Sequence, residues 1–218
     1  MHIPFIDIHT HNEDRDLSTF RILNRIVGTD EVNRDIVCTA GIHPWHIASD
    51  PTTQWELLQS LSDSPLVIGI GECGLDKLCP TDWDLQVDIF ERQIRLANER
   101  DKPLIIHSVR AYQEIVQKLK EQKARVPIVF HGFNKKITLG EQLLAQGYYL
   151  SFGADILYGA QDDLIQRIPM NRLFLETDTK TTAIVDIFSY FCAARKISMS
   201  ALKQQMADNL ERVFNYSI

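Results

Sequence analysis

No apolar run in this 218-residue chain approaches the roughly 20 residues that a membrane-spanning helix requires, so a helical membrane protein is excluded. Cysteine is sparse: Cys38, Cys73, Cys79 and Cys192 stand singly, at no spacing that reads as a zinc finger. A domain of this length buries about 70% of its unfolded surface and needs no disulfide staples, so the scattered thiols point to a reducing compartment. Positive charge is short as well. The 23 Lys and Arg against 29 Asp and Glu give a formal net charge of -6, which argues against a broad electrostatic grip on nucleic acid. A small site acting on phosphate esters stays open, because bound metal ions can supply the charge that composition does not. Met1 to Asp7 carry neither a basic leader nor a long apolar stretch, and the expected location is the cytoplasm. Repeats, low-complexity tracts and linkers are absent too, which predicts one domain over residues 1–218.

What is present is an alternation of short apolar runs with helical segments, the pattern of parallel β/α architecture. Strands are predicted at Phe5 to His9, Arg21 to Val27, Ile36 to Ile42, Leu66 to Gly71, Leu104 to His107, Ile128 to His131, Tyr148 to Phe152 and Arg172 to Glu176. Apolar residues three or four apart predict helices at Thr53 to Leu61, Asp82 to Arg100, Arg110 to Gln122, Ile137 to Gln146 and Asp162 to Ile168. Two more close the chain, Thr182 to Arg195 and Ser198 to Phe214, with Ser198 as an N-cap. Eight strands with intervening helices predict an α/β fold of the TIM (β/α)8 barrel class, near its lower size limit. Asn12 to Thr19 and Gly28 to Asp35 are too short for full crossover helices, so one or two early outer helices should be shortened or missing.

The chemistry sits at the predicted strand ends. In Phe5-Ile6-Asp7-Ile8-His9-Thr10-His11, strand alternation puts Asp7, His9 and His11 on one face. A bare His-x-His is more often a solvated pair than a metal site. Here, however, the strand ends carry His9, His11, His43, Glu72, His107, His131 and Asp178, and thus five of the chain's seven histidines. Structural histidines would be scattered over helices and loops, and in a TIM barrel these ends form the rim where active sites are built. Glu72 follows the apolar run Val67 to Gly71, where a charge is costly unless it is paired with a lysine or bound to metal. The same holds for Asp178, with Thr177 and Lys180 as simpler partners. Asp7 either orients an imidazole or is a buried carboxylate without a catalytic part. Gly69, Gly71 and Gly74 lack the Lys-Ser/Thr of a phosphate-binding P-loop and are better explained by a close backbone bend around Glu72.

Six segments, Phe5 to His11, Gly41-Ile42-His43-Pro44, Gly71-Glu72-Cys73-Gly74-Leu75-Asp76, Ile106-His107-Ser108, Val129 to Phe133 and Leu175-Glu176-Thr177-Asp178, resemble in order the signatures of TatD-type metal-dependent hydrolases. The resemblance runs from Ile6 to the closing Asn209 to Phe214. It implies a TIM barrel with one or two divalent metals, in a family many of whose members are deoxyribonucleases. It also implies that His9, His11 and Asp178 hold one metal, that His107 and His131 hold a second, and that Glu72 bridges them. Asp178 and Glu72 would be the catalytic carboxylates, Asp178 as general base, with His43 and Arg110 contacting substrate. Four imidazoles among six ligands favour zinc, manganese or iron, whereas nuclease relatives often use magnesium. The chain departs from the pattern on the rim. Trp45 stands where a second histidine usually follows His-Pro, with His46 one residue late. Lys77 replaces an aromatic, His107-Ser108-Val109-Arg110 opens the usual His-Ser-Arg, and Asn134-Lys135-Lys136 replaces a Ser-Gly turn. The expected function is a metal-dependent phosphodiesterase, a deoxyribonuclease of 3'-5' exonuclease type, acting as a monomer on DNA. The alternatives are an esterase or deacylase acting on a D-aminoacyl-tRNA or a small metabolite, and a non-catalytic metal-binding barrel.

Overall fold

A computed structural model describes residues 3–13, 16–30 and 36–218. In chain order the elements are β1 (Phe5–Thr10), β2 (Thr19–Ile26), β3 (Cys38–Gly41), α1 (Thr52–Ser62), β4 (Val67–Asp76), α2 (Trp83–Arg100), β5 (Leu104–Val109) and α3 (Tyr112–Glu121). There follow β6 (Ile128–Phe130), α4 (Ile137–Ala145), β7 (Tyr149–Phe152), α5 (Asp162–Arg167), β8 (Leu173–Leu175), α6 (Ile184–Arg195) and α7 (Met199–Phe214). The eight strands form one sheet in sequence order, and a parallel bridge joins Thr10 of β1 to Asp178 just beyond β8. This is the (β/α)8 topology of a TIM barrel. Among the described residues no helix lies between β1, β2 and β3. Residues 14, 15 and 31–35, inside the two segments expected to lack helices, lie outside the described residues.

The chain divides into two compact units, one of Met1–Leu23 with Val129–Ile218 and one of Asn24–Ile128. In the first, β6, β7 and β8 run parallel, and Phe130, Phe152, Phe174, Phe188 and Phe191 are fully buried. Each such ring is worth about 1.5–3 kcal/mol of apolar transfer. The Ser198 side chain caps α7 as expected, accepting from the Ala201 N–H at 3.2 Å.

In the second unit, β3, β4 and β5 run parallel, and every residue of β4 is buried. Leu66 to Gly71 was the expected extent, with Glu72 at its end; the strand instead continues through Glu72 to Asp76. Two glycines allow it. Gly71 and Gly74 take φ of +144° and +147°, which side-chain-bearing residues avoid, and β5 passes so close that a Cβ on Gly71 would meet the Ile105 carbonyl oxygen at 2.5 Å. A Cβ on Gly74 would collide with the carbonyl of His107.

Helix α2 lies over this sheet, its start capped by Asp82, which accepts from the Leu85 N–H at 3.0 Å. Two of its buried side chains are polar. Gln93 accepts from the Ile42 N–H at 2.8 Å and donates to the Ile42 carbonyl at 3.1 Å, while Gln86 accepts from the Asp76 N–H at 2.9 Å. One helix thereby fixes the backbone next to His43 and at the end of β4. Helix α3 begins at Tyr112, later than the expected Arg110, because Arg110 adopts φ 55° and leaves the helical conformation.

Candidate functional site

In the first unit the ring-closing bridge sets the geometry. The Asp178 N–H donates to the His9 carbonyl at 2.9 Å, and the His11 N–H donates to the Asp178 carbonyl at 3.1 Å. These bonds hold Asp178 at φ 55° and leave its carboxylate 3.8 Å from His9 Nε2 and 3.7 Å from His11 Nε2. His9, His131 and Asp178 each bring a donor atom, all within 4.8 Å of one another, and the rings of His9 and His131 lie 4.3 Å apart. Buried Glu176 stands behind His131, with Oε1 3.2 Å from Nδ1 and accepting the Gly132 N–H at 2.7 Å. Burial pushes the Glu176 carboxyl upward, but the hydrogen bond and charge of His131, the charge of His9 and a hydrogen bond from Ser151 outweigh it and hold the group ionised, below its ordinary range. A neutral His131 that donates from Nδ1 to Glu176 would keep its Nε2 lone pair for a metal.

Asp7 does not orient an imidazole. Its carboxylate accepts the Thr177 N–H at 3.0 Å and the Thr177 hydroxyl at 2.6 Å, so it braces the turn that carries Asp178. Burial raises its pKa to about 7 in spite of these bonds. Asp178 is partnered not by Thr177 or Lys180 but by His9, His11 and the backbone of β1.

In the second unit Glu72 is the centre. Its Oε1 lies 2.7 Å from His107 Nδ1 and 3.3 Å from His43 Nε2, and its Oε2 accepts from Asn24 Nδ2 at 3.1 Å. His43, Glu72 and His107 form a donor group whose atoms again lie within 4.8 Å of one another. No lysine is needed to account for this charge. The Trp45 N–H donates to His43 Nδ1 at 3.1 Å, so the neutral ring carries its proton on Nε2, toward Glu72. Burial lowers the His43 pKa, and Glu72 only partly offsets that. His107 Nε2 lies 3.2 Å from Asp76 Oδ2, which also accepts from Trp45 Nε1 at 2.5 Å. For Asp76 burial acts upward, but the hydrogen bonds of Trp45, Leu78 and His107 prevail and keep its pKa low.

The structure thus brings together His9, His11, His131 and Asp178 in one unit, and Glu72, His107 and His43 in the other. Of the two expected substrate contacts, His43 is 7% exposed and turned onto Glu72, whereas Arg110 is exposed at the end of β5. The sequence reading overlooked Asn24, Asp76 and Glu176. Each left a signal, a polar residue inside or at the end of an apolar strand run, the same signal that singled out Glu72. Both donor groups mix imidazole nitrogen with carboxylate oxygen, a set that fits a divalent transition metal.

A (β/α)8 chain that gathers buried and half-buried histidines and carboxylates along its strands in this way falls in the class of metal-dependent hydrolases. It belongs to the family described as TatD related DNase, whose model matches residues 11–215. It is 25% identical to the uncharacterized metal-dependent hydrolase YjjV of Escherichia coli K12, over 88% of this chain and 81% of that protein. It is 36% identical to the 3'-5' ssDNA/RNA exonuclease TatD of Erwinia amylovora, over 64% of this chain and 56% of that one. The solved structure of YjjV shares the fold with a TM-score of 0.85 at 22% identity, covering 99% of this chain and all of that one.

Proposed function

We propose that this hydrolase is a phosphodiesterase that removes nucleotides from the 3' end of single-stranded DNA. The observation that carries the reading is the pair of imidazole–carboxylate groups, His9–His131–Asp178 and His43–Glu72–His107. The name of the Erwinia relative supports the choice of substrate. In this reading His9, His11, Glu72, His107, His131 and Asp178 would be the ligands of one or two divalent cations. The nitrogen-rich donor set suits zinc, manganese or iron. Bound cations supply Lewis-acid polarisation of the phosphoryl group and ease deprotonation of the attacking water.

The remaining work falls to the side chains. Asp178 receives the proton of the attacking water on its carboxylate, which the bridge to His9 and His11 holds in place. Glu176 fixes the tautomer of His131, Asn24 fixes the rotamer of Glu72, and His43 donates a hydrogen bond to that same carboxylate. Such preorganisation spares the transition state the cost of orienting these groups.

The test uses protein stripped with a chelator, reloaded with manganese, magnesium or zinc, and given a 3'-ended single-stranded oligonucleotide. Stepwise nucleotide release is expected, with Glu72→Ala reducing it at least about 100-fold. No release under any of the three metals overturns the reading. Cleavage of ester substrates with DNA left intact replaces it by the deacylase alternative.

A further inference from the structure

Trp45 keeps 57% of its surface in water although it is bonded directly into the second unit's donor group. Its Nε1 donates to Asp76 Oδ2, the oxygen that also faces His107 Nε2, and its backbone N–H donates to His43 Nδ1. The indole is anchored on Asp76 and the Trp45 backbone on His43, side chains that touch His107 and Glu72 of the proposed reaction. The short helix Pro44–His46 that carries it is also held from below, with Cys79 Sγ 3.8 Å from the Pro44 carbonyl.

An indole whose only polar atom is already bonded has nothing left to offer a ligand except its π-face. Its orientation is set before any ligand arrives, so little freedom is lost on binding. The imidazole of His43 lies 6.3 Å away at 63° to the indole, so it meets the ring edge-on rather than stacking on it. At this position the chain therefore presents a flat apolar surface to solvent. Bases stack on such rings whatever their identity, because every base has a π-face.

We propose that Trp45 is the stacking platform for the nucleobase at the end of the substrate strand and so sets a preference for base-bearing ends. This rests on the nuclease reading. Two oligonucleotides protected at the 3' end by phosphorothioate linkages are compared, one ending in an ordinary nucleotide and one in an abasic residue. Binding is measured by fluorescence anisotropy with manganese present, and cleavage of the unprotected strand is followed in parallel.

Wild type is expected to prefer the base-bearing end about 10- to 100-fold. Trp45→Ala should bind both strands with the wild-type affinity for the abasic one, and Trp45→Phe should keep part of the preference. The proposal is overturned if the wild type has no preference, if Trp45→Ala retains it, or if Trp45→Ala loses affinity for both strands equally, as a merely structural residue would. Absence of cleavage with the preference intact overturns the nuclease reading alone. Cleavage with a preference indifferent to Trp45→Ala overturns the stacking role alone, and a wild type that binds neither strand overturns both.

Discussion

Asn24 holds Glu72 at two points: its amide nitrogen donates to the carboxylate Oε2 at 3.1 Å, and its carbonyl oxygen accepts the Glu72 backbone N–H at 2.8 Å. The Thr39 hydroxyl supports the same carbonyl at 3.3 Å. A carboxylate only 4% exposed is thereby solvated by protein rather than by water.

Removing that support leaves a buried charge short of a partner. Asn24→Leu is expected to destabilise the metal-free protein by about 1–3 kcal/mol, and Asn24→Asp by more, since it sets a second negative charge against the first. Urea midpoints at constant slope measure both. A midpoint unmoved by either substitution would show that Asn24 carries none of the load.

In the proposed site Glu176 would act on a bound metal through His131. Glu176→Gln keeps an oxygen for the Gly132 N–H but weakens the pull on the imidazole proton, so zinc or manganese affinity should fall about 10- to 100-fold with the fold intact. Added metal should raise the melting temperature of the wild type in a concentration-dependent way, and the variant should need correspondingly more of it. Calorimetric titration giving equal affinities for the two proteins would refute the role.

Two glycines with positive φ separate conformational strain from collision. Gly147 sits at +85° with nothing within 4 Å of a built Cβ, so Gly147→Ala should cost only about 1–2 kcal/mol of backbone strain. Gly74→Ala adds a clash with the His107 carbonyl and should cost at least about 3 kcal/mol, with β5 displaced at a candidate metal ligand. Equal losses in the two variants would mean that the strands can part without penalty.

Tyr112 makes stability fall at high pH. Burial pushes its phenol up to about 12, with a hydrogen bond to Ser108 partly opposing, whereas the unfolded side chain ionises near its ordinary value of 10.0. Between these two values the folded state binds the extra proton, so stability drops as pH rises, by about 2–3 kcal/mol in all. Tyr112→Phe should remove about one proton from the pH dependence of unfolding over that range, measured by denaturant titration at several alkaline pH values. An unchanged slope would show that the phenol titrates alike in both states.

The eight strands were legible because strands buried on both faces read as unbroken apolar runs. The clustering of the histidines was legible because so few other reasons place imidazoles at successive strand ends. Glu72 misled the strand boundary: a charge after an apolar run looks like an exit to solvent, and nothing local announces that Asn24, 48 positions earlier, will bond it. Gln93 reaches 51 positions to clamp Ile42, Glu176 reaches 45 to His131, and Asp7 reaches 170 to Thr177. Partnerships at those separations are created by the fold, and a single sequence shows only that a polar residue stands in an apolar place. The start of α3 failed for a local reason, the left-handed backbone of Arg110.

The bridge between Thr10 and Asp178 joins residues 168 positions apart. During synthesis His9 and His11 emerge early, but the backbone that anchors them and the carboxylate beside them arrive only when the last strand does. A nascent or truncated chain ending before residue 178 carries the histidines without their third partner. In this unit the meeting of Asp178 with both histidines is a late product of folding, and it certifies a ring that has already closed.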